Sequence, residues 1–363
     1  MSRITLTHLR RGIAGAAALV VAAAGLAACN SASSDTNSGT QTTTRPTLKI
    51  AIGSNALNYT AYWIAEADGL FAKHEVKVDV VNANALAVAP ALLTSGQIDL
   101  LISAAGQSVA VAATGKPVSI IANLYDYSPR GGAFVGGSKV TSIKQLKDKG
   151  SDCTLVTTAK GTASYAAAKQ YMRAYGIRCK MSALATNALT VTSITSGQAD
   201  AGIFTTADAA AVVTKGGHYL QNPATMTDAQ AKKLAPTPFP ALTVTGLKPT
   251  LKAKAQAVER FLAAIDDALD TISSSTPANL ADSLSHLSYF PGVSTTTMTQ
   301  SLPSILTAVP TAASRGEITE GSWKAALTSF QKDFDLPGFK ASAPQFAYSK
   351  MIDMSYLKAA RTQ

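Results

Sequence analysis

The stretch TSGQIDLLIS, residues 94–103, has a near-copy about a hundred residues later in TSGQADAGIF, residues 195–204. In both, a helical-looking run ends on glycine and an apolar run follows. Gly96 and Gly197 suit the left-handed position that terminates a helix. Asp99 and Asp200 are placed to satisfy backbone groups in the tight turn before a strand. The repeat therefore marks IDLLIS and ADAGIF as strands in equivalent places of two similar units, and it locates the loops that follow them.

Working outward, the first copy belongs to a strand–helix alternation. LKIAIG (48–53) and VKVDVVNA (76–83) read as strands, and the run between them carries Leu57, Tyr62, Ile64, Ala65 and Leu70 at roughly helical spacing. ALAVAPALLTSG (85–96) and QSVAVAATG (107–115) read as helices, and PVSIIANL (117–124) as a strand. The second copy belongs to a matching set: CTLVTT (153–158), a helix over 161–176, CKMSAL (179–184), a helix over 187–197, and ADAGIF. The tripeptide NAL begins at Asn84 in one set and Asn187 in the other. This rhythm predicts an α/β protein with two domains of one design, each a parallel-rich sheet flanked by helices.

Residues 223–238 read as a loop, FPALTVTGL (239–247) as a further strand, and the rest as mostly helical. Val258, Phe261, Leu262, Ile265, Leu269 and Ile272 fall on one stripe. The expected organisation is discontinuous. Residues 48–130 and 240–363 form domain I, residues 131–239 form domain II, and the chain crosses near Tyr127–Gly137 and Pro236–Val244, where a hinge is expected.

The N-terminus speaks to location. A basic stretch with Arg3, Arg10 and Arg11 precedes a short apolar run ending in small residues, which reads as a signal peptide over 1–29. Leu26-Ala27-Ala28-Cys29 resembles the bacterial lipobox, with Cys29 the residue to be lipidated. Residues 30–47 are polar and read as a flexible tether. The expectation is an exported protein, lipid-anchored to the cell membrane, with its folded body outside the cytoplasm. Losing the three arginines lowers the formal charge from +10 to +7, scattered without basic–aromatic runs, so no nucleic-acid surface is indicated. Cys153 and Cys179 each open a strand-like run on either side of one helix. In an oxidising compartment a bridge between them is expected, with two buried thiols as the alternative.

Ligands of open α/β sheets sit beyond the C-terminal strand ends, at helix starts. Here those loops are 53–59, 102–108, 157–164 and 204–208, rich in Ser, Thr, Asn and Gly, with Tyr59 as an aromatic face and Lys160 as their only cation. No HExxH, CxxC, GxSxG, P-loop or GxGxxG pattern occurs, and His74, His218 and His286 are far apart. No catalytic residue, metal or cofactor is expected.

LKIAIG, a polar loop and YWIAEADGLFAKHEVKVDVV resemble the opening of the substrate-binding proteins of nitrate/sulfonate/taurine-type ABC transporters, a broad family that includes binders of thiamine-precursor pyrimidines. Ala65, Gly69, Leu70, Phe71 and Val76 carry the first part of the likeness, and Ala91, Leu92, Ser95, Gly96, Gln97 and Asp99 the second. The segment LKDKGSDCTLV departs from the family pattern. The resemblance implies the two-domain periplasmic-binding-protein fold, type II-like, in a monomer that hands a small molecule to an ABC permease. By the same resemblance, ligand contacts come from Ser54, Asn55, Tyr59, Ser103, Gln107, Gly161, Thr162, Ala163 and Thr205. The paucity of cations points to an organic ligand, a sulfonate or a heterocycle. Two other functions remain: an enzyme of the pyrimidine- or menaquinone-synthesis type on this fold, though the cysteine-rich iron motif of the pyrimidine synthase is missing, and a ligand-sensing lipoprotein.

Overall fold

A computed structural model describes residues 45–82, 88–290, 292–311, 313–336 and 338–362. The leader with Cys29, most of the tether and Asn84 lie outside the described residues. Residues 44–363 form one compact unit built on two sheets.

The strands are β1 (Thr47–Ile52), β2 (Lys77–Asn82), β3 (Leu100–Ala104), β4 (Val118–Asp126), β5 (Ala133–Gly136), β6 (Thr154–Thr158), β7 (Lys180–Leu184), β8 (Ala201–Phe204), β9 (His218–Gln221) and β10 (Pro240–Leu247). The first sheet has the order β2-β1-β3-β10-β4 and the second β7-β6-β8-β5-β9. In each, one strand runs against the rest. β10 is antiparallel to β3 and β4, and β5 is antiparallel to β8 and β9. Each reversed strand is the first one the chain forms after crossing from the other sheet. Parallel-rich sheets are present as expected, and the crossing geometry accounts for the single reversal in each.

Both faces of the first sheet are covered, so β4 is buried along almost its whole length. On one face lies the helix Ala255–Ser274, whose Val258, Phe261, Leu262, Ile265, Leu269 and Ile272 are all buried. On the other face the helix Ala105–Ala113 packs with Trp323, Phe330 and Phe346. The second sheet is covered by the helix Ala163–Tyr175 on one side and by Asn187–Thr195 and Thr206–Thr214 on the other. Cys153 and Cys179 are disulfide-bonded, with Cα atoms 4.6 Å apart, at the start of the β6–β7 pair.

The repeated TSGQxD motif does the same work twice. Gly96 and Gly197 take left-handed backbone angles, with φ of +74° and +77°. Asp99 donates its N–H to the Lys49 carbonyl, and its carboxylate accepts the Lys49 N–H at 2.8 Å. Asp200 makes the same two bonds to Thr154, the second also at 2.8 Å. The carboxylates thus clamp the neighbouring strand rather than satisfying their own turn. Lys254 pairs with Asp99, and Lys149 with Asp200.

Three features depart from the sequence reading. Residues 223–238 are not simply a loop: Asp228–Leu234 is helical, started by a capping box between Thr227 and Gln230. The crossing segment after Tyr127 contains β5, and His218–Gln221 forms a strand. A third link joins the two sheets' layers besides the two crossings. A π-helical turn, Phe330–Phe334, sends the Phe334 carbonyl to the Gly161 N–H at 3.0 Å. Its Asp333 accepts from Arg173 and Gln170, and Asp335 accepts from Tyr165 and Lys169, all on the helix 163–175.

Candidate functional site

A cavity of about 400 Å³ opens where the C-terminal ends of the parallel strands of both sheets meet. The reversed strands contribute their beginnings to the same edge, because Leu242 of β10 pairs with Ala104 of β3 and Ala133 of β5 pairs with Phe204 of β8. The strand order therefore gathers loops from distant parts of the chain into one wall.

From the first loop, Ser54, Asn55 and Tyr59 line the cavity, and from the second sheet Thr162, Ala163 and Thr205 do so. The loop holds its shape through the Trp63 indole, whose Nε1 donates to the Ala56 carbonyl at 3.0 Å. Gly53 is needed beneath Tyr59: a Cβ there would lie 2.6 Å from the Tyr59 hydroxyl oxygen. Ser103, Gln107 and Gly161 are placed differently. The buried Ser103 hydroxyl donates to the Gln107 side-chain oxygen, so the two are turned to each other and not among the lining residues. Gly161, at φ +83°, faces Leu336 and Phe334 and serves the third link rather than the cavity wall.

Much of the wall was not singled out in the sequence. Tyr125, Tyr127, Tyr289 and Phe290 give it an aromatic character together with Phe204 of the loop 204–208, whose Asp208 is the one lining carboxylate among the described residues. Tyr289 and Phe290 are braced from behind by Trp63, at ring-centroid distances of 4.7 and 5.5 Å. Their signal was the tripeptide Tyr289-Phe290-Pro291 in a helical region, which carries no periodic pattern. Tyr127 stacks on Phe239 where the two crossings meet, at 4.9 Å, and donates its hydroxyl to Gln170 at 2.6 Å.

Electrostatics follow from burial. Burial pushes the Tyr59 and Tyr125 phenols well up, and burial with nearby Glu66 pushes Tyr289 up to about 12. These hydroxyls are neutral hydrogen-bonding groups across the physiological range. The Tyr125 hydroxyl is buried and has no hydrogen-bond partner among the described residues. An unmet buried hydroxyl costs about 1–3 kcal/mol. Thr162 and Thr205 cap their helices, accepting the N–H of Tyr165 and of Asp208. Among the described residues no cluster of three His, Cys, Asp or Glu could hold a metal ion.

The NMT1/THI5-like family profile matches residues 56–276, well over half of the sequence. The chain belongs to the NMT1/THI5-like family. No curated protein sequence matches this family member. Among solved structures, it is similar to the ligand-binding component of an ABC-type import system from Staphylococcus aureus with zinc bound. The TM-score is 0.67 at 12% identity, covering 87% of this chain and 99% of that one. It is also similar to the nitrate-binding protein NrtA from Synechocystis PCC 6803, with TM-score 0.64, 13% identity and coverage of 87% and 88%. The alkanesulfonate-binding protein SsuA from Xanthomonas axonopodis pv. citri, bound to MOPS, gives 0.61 at 16% identity, covering 81% and 95%. The NMT1/THI5-like chain thus has the periplasmic-binding-protein fold.

Proposed function

We propose that this protein is an extracytoplasmic solute receptor that holds a small organic molecule between its two sheets and delivers it to an ABC permease. The observation that carries the reading is the cavity itself. Loops from both sheets converge on a cavity of about 400 Å³ whose wall mixes aromatic side chains with Ser, Thr and Asn, of the size and character that suits a small ligand. The first residues of two helices, Ala163 and Asn187, are part of its wall, where helix starts favour an acceptor or anionic group. Fold relatives that bind nitrate, alkanesulfonate or another solute for ABC import support the reading.

In this proposal residues 48–130 with 240–363 act as one lobe and 131–239 as the other, closing about the Tyr127–Phe239 stack. Lipidation at Cys29 tethers the receptor to the membrane, and among the described residues no helix is long and apolar enough to span one. Ser54, Asn55, Tyr59, Thr162, Ala163 and Thr205 are the contacts this reading assigns to the ligand. The sensor alternative shares the same cavity and differs only in the membrane partner.

Thermal unfolding against a panel of sulfonates, small anions, amines and heterocycles tests the reading. A ligand at a hundred times its Kd adds about 2.7 kcal/mol, a rise of roughly 4 °C for a body of this size. The variant Ala163→Trp, which fills the cavity, is expected to abolish that rise. A rise that survives it, or product formation from a bound candidate, would refute the receptor reading.

A further inference from the structure

The cavity's charge is one-sided. Among the described residues no Lys, Arg or His lines it, whereas Asp208 does. The cations nearest in sequence to the lining loops are committed elsewhere. Arg130, between the lining residues Pro129 and Gly131, donates to the Asp228 carboxylate and the Met226 carbonyl. Lys160 is exposed and acts on Asp335. Lys169 and Arg173 pair with Asp335 and Asp333. Asp126, close to the wall, is met by the Asn123 amide at 2.8 Å.

Asp208 has a plain structural role, and that role does not use it fully. The Thr205 hydroxyl donates to its Oδ2 at 2.7 Å and accepts its N–H at 3.2 Å, completing the cap of the helix Thr206–Thr214. A carboxylate in the first turn also answers the positive end of the helix dipole, which is only a partial charge. Among the described residues no cation pairs with it. Burial raises its pKa against the opposing Thr205 hydroxyl bond, the signature of a carboxylate held without a counter-charge.

We propose that Asp208 is the charge-selecting residue of the cavity, and that the ligand presents an ammonium or other N–H donor to it from a compact, partly aromatic body. The proposal rests on the receptor reading above. A cation in the cavity finds one carboxylate and a wall that includes the aromatic rings of Tyr59, Tyr125, Tyr289 and Phe290, and aromatic rings favour positive charge. A bare anion such as nitrate or an alkanesulfonate meets the same carboxylate as a repulsion. The helix start at Ala163 still serves an acceptor atom, so a zwitterion is accepted where the corresponding monoanion is not.

The test is calorimetric titration of the protein, and of Asp208→Asn, with matched probes: 2-phenylethylamine against 2-phenylethanol, taurine against ethanesulfonate, and a wider set of amines each paired with its alcohol and sulfonate. The amine or zwitterion of a pair is expected to bind at least about tenfold tighter, about 1.4 kcal/mol. Asp208→Asn should erase that preference while keeping the unliganded melting midpoint, since asparagine still accepts the Thr205 hydroxyl. Equal binding of amine and alcohol, or an amine affinity untouched by Asp208→Asn, overturns the proposal. Tight binding of ethanesulfonate, another amine-free sulfonate or nitrate, blocked by Ala163→Trp, overturns it too while leaving the receptor reading intact. Silence from every probe overturns both.

Discussion

Arg173→Ala puts the third link between the sheets to a quantitative test. Asp333 sits in the π-helical turn with only 4% of its side chain exposed, and Arg173 grips it through two nitrogens at 2.5 and 3.2 Å. Truncating the arginine leaves the carboxylate with the Gln170 amide at 3.3 Å. Removing one partner of a fully buried ion pair costs about 3–5 kcal/mol. Arg173 is 42% exposed, so water screens part of the interaction and refills part of the gap; about 2–3 kcal/mol is the discounted expectation. An unfolding entropy of about 2.1 cal/mol/K per residue over residues 44–363 gives about 0.7 kcal/mol/K, and hence a midpoint lowered by roughly 3–5 °C. Scanning calorimetry reads the loss. Hydrogen exchange should localise it, with faster exchange at Gly161, whose N–H is held by the Phe334 carbonyl, and none in the helix Ala255–Ser274. Asp333→Asn, which leaves a half-exposed arginine facing water, should cost less. A loss below about 0.5 kcal/mol for Arg173→Ala, or no coupling in the double-mutant cycle with Asp333→Asn, would refute the idea that this pair holds the link.

Other outcomes follow from the same structure. Replacing Cys153 and Cys179 by serine opens a loop with a sequence separation of 26, worth about 3.5 kcal/mol on the loop-entropy estimate, and a melt in reductant should match the double variant. Asp99→Ala and Asp200→Ala each remove a strand clamp and should cost similar amounts, about 1–3 kcal/mol by denaturant titration; a large inequality would argue against their equivalence. The Lys169 and Tyr165 hydrogen bonds hold the Asp335 carboxyl below its ordinary 3.8, so its stabilisation is complete above that pH and is lost as pH falls through the lower, folded value. Asp335→Asn should accordingly flatten the acid limb of the stability profile. Tyr125→Phe removes an unmet buried hydroxyl and should leave the protein as stable or slightly more so in a thermal melt.

Local order was legible wherever it rests on nearest-neighbour chemistry. Glycines at positive φ, threonine and serine caps, apolar strand runs and the 3.6-residue stripe from Val258 to Ile272 act within a few residues of themselves, so sequence alone determined the strand–helix rhythm and the doubling carried by TSGQxD. The loops with Ser54, Tyr59, Thr162 and Thr205 could be placed at the cavity because strand ends and helix starts fix where such loops lie. What tertiary structure alone decided is everything that depends on long-range pairing. The reversal of β5 and β10 is set by where the chain returns from the other sheet, and it brings Leu242 beside Ala104. Tyr289 and Phe290 reach the wall because Trp63, more than two hundred residues earlier, packs behind them. Ser103 and Gln107 leave the wall because their side chains meet each other first. Asp208 is the sharpest case: the sequence places it in the loop 204–208, and only the converging loops make it the lone lining carboxylate of a cavity that, among the described residues, no cation lines.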